Sequence, residues 1–99
     1  IHDLAKAAGI PCWVGGMLES AVGLQIMVAL AMLDNFTYPA DIFPSSRFYT
    51  DDLGKPELLL TRGPDGSPQV KASEEPGIGC EPSPELLQRM TVAHARIEA

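Results

Sequence analysis

Few residues in this sequence are of a type and spacing that could do chemistry. Gly15-Gly16 lets backbone approach a ligand closely, and Met17 and Leu18 beside it are adaptable apolar contacts. The same pair serves equally well as a plain strand-to-helix turn. Glu19 follows at once, just ahead of an apolar helical run, where attraction to the helix dipole accounts for it without chemistry. Asp41 serves equally well as a turn cap or as a residue with a functional role, and the sequence leaves the two open. Asp51-Asp52 reads as a solvated loop, because a carboxylate pair without further oxygen ligands binds cations weakly. His2 and His94 have no Cys or His partner at metal-ligand spacing and read as structural or surface residues. Cys12 and Cys80 lie far apart and read as two reduced thiols, each packed as a small apolar group. No catalytic residue and no metal ligand is assigned within the chain.

Composition narrows the function classes. Over 99 residues the formal net charge is -6 and 45% of residues are hydrophobic, the balance expected of a soluble, cytoplasmic-type protein. Phosphate binding needs clustered Lys and Arg, whereas the seven basic residues here are scattered, so no nucleic-acid partner is expected. Residues 20–33 carry only Gln25 as a strongly polar side chain after the first. Glu19 and Asp34 nevertheless close that run short of the roughly 20 residues a bilayer span requires. No membrane association is expected. The opening Ile1-His2-Asp3-Leu4 is in mid-helix style and reads as a cut through a longer chain.

The elements that would position these residues alternate. Residues 2–8 read as the end of a helix, closed by Gly9 as a left-handed cap and by Pro11. Residues 11–14 read as a short, continuously apolar strand of the kind buried in parallel sheets. Residues 20–33 form a helix apolar on every face, which must be covered nearly all round. Residues 36–38 form a second short strand, and residues 41–55 a loop with Phe43, Phe48 and Tyr49. Residues 57–61 and 69–72 flank Gly63-Pro64-Asp65-Gly66 as an expected antiparallel hairpin. Pro76-Gly77-Ile78-Gly79 is a further turn. Ser83-Pro84-Glu85 starts a terminal helix expected to run to about residue 95.

Helix, strand, helix, strand is the alternation of a parallel α/β sheet or barrel. Two buried strands and an all-apolar helix cannot be covered by one hairpin and one amphipathic helix, and a full barrel takes about 250 residues. Two stretches are expected: a barrel segment over residues 1–55, and a hairpin, turn and helix over residues 56–99 that complete it.

Trp13-Val14-Gly15-Gly16-Met17-Leu18-Glu19-Ser20, followed by Asn35-Phe36-Thr37-Tyr38-Pro39-Ala40-Asp41, resembles the C-terminal part of the o-succinylbenzoate synthase and N-acylamino acid racemase family of the enolase superfamily. Ser45-Ser46-Arg47-Phe48-Tyr49 and Pro76-Gly77-Ile78-Gly79 match the family's closing segments in order. The sequence departs from it at residues 21–24 and at Ala40, where members often carry Gly-x-Gly-Arg and Gly.

The resemblance implies the fold class α/β, as the last two strands of a (β/α)7β barrel with a C-terminal hairpin and helix. It implies a parent enzyme, a cytoplasmic homo-oligomer, that takes a small carboxylate substrate and Mg²⁺. That enzyme removes a proton next to the carboxylate while the metal neutralises the developing charge. The implied activity is the dehydration that makes o-succinylbenzoate in menaquinone synthesis, with a 1,1-proton transfer on N-acylamino acids as the alternative. The lysines and metal ligands of that chemistry come from earlier strands, so this chain alone is expected to be inactive. What it carries over is pocket wall: Gly15, Gly16, Met17, Leu18 and Glu19 at the end of the seventh strand, and Phe48 in the loop after the last. A reading of another class is a non-catalytic α/β interaction module that self-associates through its apolar strands and helix.

Overall fold

The computed structural model describes residues 1–98. Helix α1, His2–Ala7, ends as expected: Gly9 takes φ +68° and the Ile10 N–H donates back to Ala5 O at 2.9 Å. Its outer side is tied to the residues just after the second helix. Lys6 pairs with Asp34, and the ammonium holds the Asp34 carboxyl below its usual range. His2 Nε2 accepts from the Asn35 N–H at 3.2 Å while its ring stacks on Phe36, 5.7 Å between centroids. His2 is therefore structural, and His94 is exposed.

The two expected strands are reduced to a single parallel bridge between Cys12 and Phe36. Cys12 N–H donates to Asn35 O (2.8 Å), Tyr38 N–H to Cys12 O (3.4 Å) and Asp41 N–H to Val14 O (2.9 Å). The alignment is that of neighbouring parallel strands. Pro11 and Pro39 supply no donor, and among the described residues no third strand stands beside either segment to extend the ladder.

Helix α2, Ala21–Ala31, connects the two segments, starting and ending a little inside the expected span. It buries one face only: Ala21, Leu24, Gln25 and Val28, at the spacing of one helical side. Leu24 and Val28 meet Leu58 in the core, with Met27, Ile42, Val70 and Ala72 packed around them. Ile26, Leu30, Met32 and Leu33 stand exposed, so the expected all-round cover is not supplied by these residues.

A 3₁₀ turn, Ser45–Arg47, leads to β1, Gly54–Lys55. The expected hairpin forms but is short: β2, Thr61–Arg62, pairs antiparallel with β3, Pro68–Gln69, around a turn in which Gly66 takes φ +81°. A second antiparallel pair was not expected from the sequence. β1 meets β4, Glu81–Pro82, with Gly54 opposite Pro82 and Lys55 opposite Glu81. Helix α3, Pro84–Met90, begins as expected, the Ser83 hydroxyl accepting from the Leu86 N–H at 3.4 Å. It ends five residues before the expected residue 95. Thr91 leaves helical geometry at ψ 118°, and both its N–H (3.0 Å) and its hydroxyl (2.6 Å) donate to Leu87 O.

Among the described residues no helix is long and apolar enough to cross a membrane. Both cysteines are free thiols. Cys80 is buried, and burial pushes its thiol up, helped by the negative charges of Asp52 and Glu81. Only the thiolate attacks, so near about pH 8 a thiol reagent modifies half-buried Cys12 well before Cys80. Mass spectrometry of peptides during labelling checks this, and equal labelling rates would contradict it.

Candidate pocket wall

The residues singled out by sequence fall on two segments, the turn before α2 and the loop after the Cys12–Phe36 bridge. In the turn, Gly16 is required by sterics. A Cβ built there would lie 2.2 Å from Asp41 O, a backbone atom that cannot swing aside. This is the close backbone approach expected of the glycine pair, but its partner is the following loop. Gly15 is less constrained, with a Cβ meeting only the Trp13 ring at 3.4 Å.

Glu19 folds back on the turn, and its Oε2 accepts from the Met17 N–H at 2.5 Å. That bond, rather than contact with the first turn of α2, is what the structure shows for this carboxylate. Met17 and Leu18 are left with their side chains largely in solvent, Met17 at 74% exposure and Leu18 at 57%. A flexible thioether and an isobutyl group held outward on a pinned turn can contact a ligand through dispersion, but can donate or accept no proton. Asp41 is exposed, and its structural role comes from its backbone: the N–H bonded to Val14 and the carbonyl beside Gly16.

On the second segment Phe48 packs edge-on against Phe43, 5.3 Å between centroids, and the Arg47 guanidinium lies 4.9 Å over the Phe43 ring. Tyr49 links the segments, its hydroxyl donating to Leu18 O at 2.6 Å. Leu18, Ser20, Tyr49, Asp51, Leu53 and Met90 line a cavity of about 290 Å³. Of the six pocket residues expected from sequence, only Leu18 lines it. Gly15, Gly16, Met17, Glu19 and Phe48 lie outside that cavity.

The expectation of a solvated Asp51-Asp52 pair is corrected. Asp51 is half-exposed and ion-paired with Arg89 of α3 at 2.5 Å. Asp52 is 3% exposed, and its carboxylate accepts from the Ala21 N–H (2.9 and 3.1 Å), the Gly54 N–H (2.8 Å) and the Ser45 hydroxyl. Its donors come from three separate stretches of chain, which a reading of local composition does not bring together. Ser20 holds the N-cap position, yet its side chain makes no capping bond.

Among the described residues no group of three or more His, Cys, Asp or Glu side chains is arranged to hold a metal ion. The carboxylates nearest the turn do not fit that role. Asp52 is filled by its donors, and Glu19 is turned onto the Met17 amide.

No family model matches the chain. It is 43% identical over 93 residues to an N-succinylamino acid racemase of Amycolatopsis, covering 94% of this chain and 24% of the relative. It is 36% identical over 89 residues to the o-succinylbenzoate synthase of Bacillus subtilis, covering 90% of this chain and 23% of the relative. Its structure is similar to that of an enolase superfamily member from Listeria innocua, with a TM-score of 0.76 and 32% identity over 90% of this chain and 23% of that one. The chain thus spans about a quarter of the length of the proteins it matches.

Proposed function

We propose that this chain, similar over nine-tenths of its length to o-succinylbenzoate synthases and N-succinylamino acid racemases and in structure to enolase superfamily members, forms one wall of a pocket for a small carboxylate in a Mg²⁺-dependent barrel enzyme. The proposed reaction is the dehydration carried out by o-succinylbenzoate synthase. The similarity carries this reading, because it runs through the turn at residues 15–19 and the loop at residues 45–52 alike. The 43% identity to a racemase favours N-succinylamino acid racemisation as a second activity of the same site. Both reactions begin by removing a proton next to a carboxylate, and they differ in whether a hydroxyl group then leaves or the proton returns.

The residues present are suited to binding and not to proton transfer. Met17, Leu18 and Phe48 are apolar, Glu19 is committed to a backbone amide, and Lys6, Lys55 and Lys71 all stand on the surface. The acid–base lysines and the metal ligands are assigned to preceding strands, in a cytoplasmic parent enzyme.

A chimera tests the reading. The matching residues of the Amycolatopsis racemase are replaced by this chain, and the product is assayed for racemisation of N-succinylamino acids and for o-succinylbenzoate formation. Turnover within about tenfold of the relative is expected, equivalent to about 1.4 kcal/mol in the barrier. A chimera that melts cooperatively yet turns over neither substrate would sink the assignment.

A further inference from the structure

The two segments of the proposed pocket wall are far apart in sequence, and something must fix their relative position. We propose that Asp52 is a positioning residue that sets this wall, an inference that rests on the function proposed above. Its carboxylate joins three pieces of backbone. The Ala21 N–H opens α2, directly after the turn that carries Met17, Leu18 and Glu19. The Ser45 hydroxyl belongs to the 3₁₀ turn three residues before Phe48. The Gly54 N–H begins β1.

Ordinary helix capping does not require this arrangement. A cap is normally the residue preceding the helix, and Ser20 is of the right type, yet its hydroxyl makes no capping bond. The cap comes instead from 31 residues downstream and is 3% exposed. Contact on either side holds the arrangement rigid. A Cβ on Gly54 would lie 2.8 Å from Ala21 Cβ and 3.0 Å from Val22 N, so the loop is pressed directly onto the start of the helix. The Tyr49 hydroxyl bonds Leu18 O a few residues away, so the loop and the turn are joined at two points. If either segment shifts, the distance between Leu18 and Phe48 changes with it.

Asp52 touches no reacting atom in this scheme. Its loss weakens substrate binding more than it slows the chemical step, because the proton-transfer groups stand elsewhere. In the chimera, Asp52→Asn and the milder Ser45→Ala are compared with the parent by steady-state kinetics and by amide hydrogen exchange resolved to residues 17–22 and 45–54. For Asp52→Asn, KM is expected to rise about tenfold with kcat within about twofold. Exchange should accelerate in both segments together, with Ser45→Ala showing the same pattern at smaller amplitude. Faster exchange at residues 17–22 alone, with KM unchanged, would reduce Asp52 to a helix cap and overturn the proposal, as would an equal loss in kcat and kcat/KM. If the parent chimera is folded but inactive, the functional reading fails on that result. Exchange then decides the positioning role separately: joint acceleration supports it, and acceleration of one segment overturns it.

Discussion

Purified by itself, the 99-residue chain is expected to elute from a sizing column well ahead of a 10.6 kDa monomer and to bind apolar dyes strongly. A folded monomer of this mass exposes about 5,500 Å². This chain exposes 7594 Å², and its radius of gyration is 16.0 Å, against about 13 Å for a compact domain of this length. The difference of about 2,100 Å² is well above the roughly 800 Å² that one partner contributes to a standard interface. Much of it is apolar: Trp13 at 57%, Met32 at 71%, and Ile26, Leu30 and Leu33 along α2. At about 25 cal/mol per Å² the drive to cover such surface is tens of kcal/mol before ordering costs, enough to dominate behaviour in solution. The association expected is heterogeneous, and fusion to the preceding part of the Amycolatopsis relative should abolish it. Light scattering on both samples checks the point. A single oligomer of fixed mass from the isolated chain would favour the self-associating module instead.

Gly16→Ala in the same chimera is expected to destabilise it by about 2–3 kcal/mol and to raise KM for the succinylated substrate about tenfold. The added methyl would have to occupy a point 2.2 Å from Asp41 O, a backbone atom that cannot rotate away. Relief requires the turn and loop to separate, which strains the 2.9 Å bond from Asp41 N–H to Val14 O and moves the Met17–Glu19 hydrogen bond with it. Gly15→Ala is the matched control. Its Cβ meets only the edge of the Trp13 ring at 3.4 Å, so its effect should be under about 1 kcal/mol. Urea unfolding and steady-state kinetics measure both. Equal effects from the two substitutions would show that the close approach at Gly16 is not what holds the turn.

Local chemistry was legible in the sequence wherever one residue decides a conformation. Gly9 closes α1, Ser83-Pro84 opens α3, and the Gly63–Gly66 turn folds its hairpin, each because a cap or turn depends on neighbours a few positions away. The parallel alignment of the two apolar segments was also legible, from their continuous apolar character and the helix between them. Their length as strands was not, because a ladder extends only where a neighbouring strand receives it, and that neighbour is not among these residues. The cover of α2 failed for the same reason: the sequence shows that every face is apolar, and the structure covers one. In the candidate wall, the glycines, Met17 and Leu18 were found by type. The roles of Asp52, Ser45 and Tyr49 depend on pairings across 31 and 7 residues that no local pattern encodes. The early end of α3 lies at Thr91, whose backbone turns extended while its N–H and hydroxyl both bond Leu87 O, a conformation that composition alone does not specify.

The buried carboxylate at position 52 also has a consequence for the order in which the protein can be made. A ribosome delivers the chain from its N-terminus at about 5–20 residues per second. The whole of α2 is therefore synthesised seconds before the group that satisfies its first amide exists. Until then the helix is 11 residues long, open at one end and apolar all round, shorter than the roughly 12–15 residues at which an isolated helix becomes marginally stable. Its completion waits for residues 45–54, and Leu58, Val70 and Ala72 of the core arrive later still. During translation the nascent segment is a greasy, half-formed helix, of the kind that holding chaperones recognise.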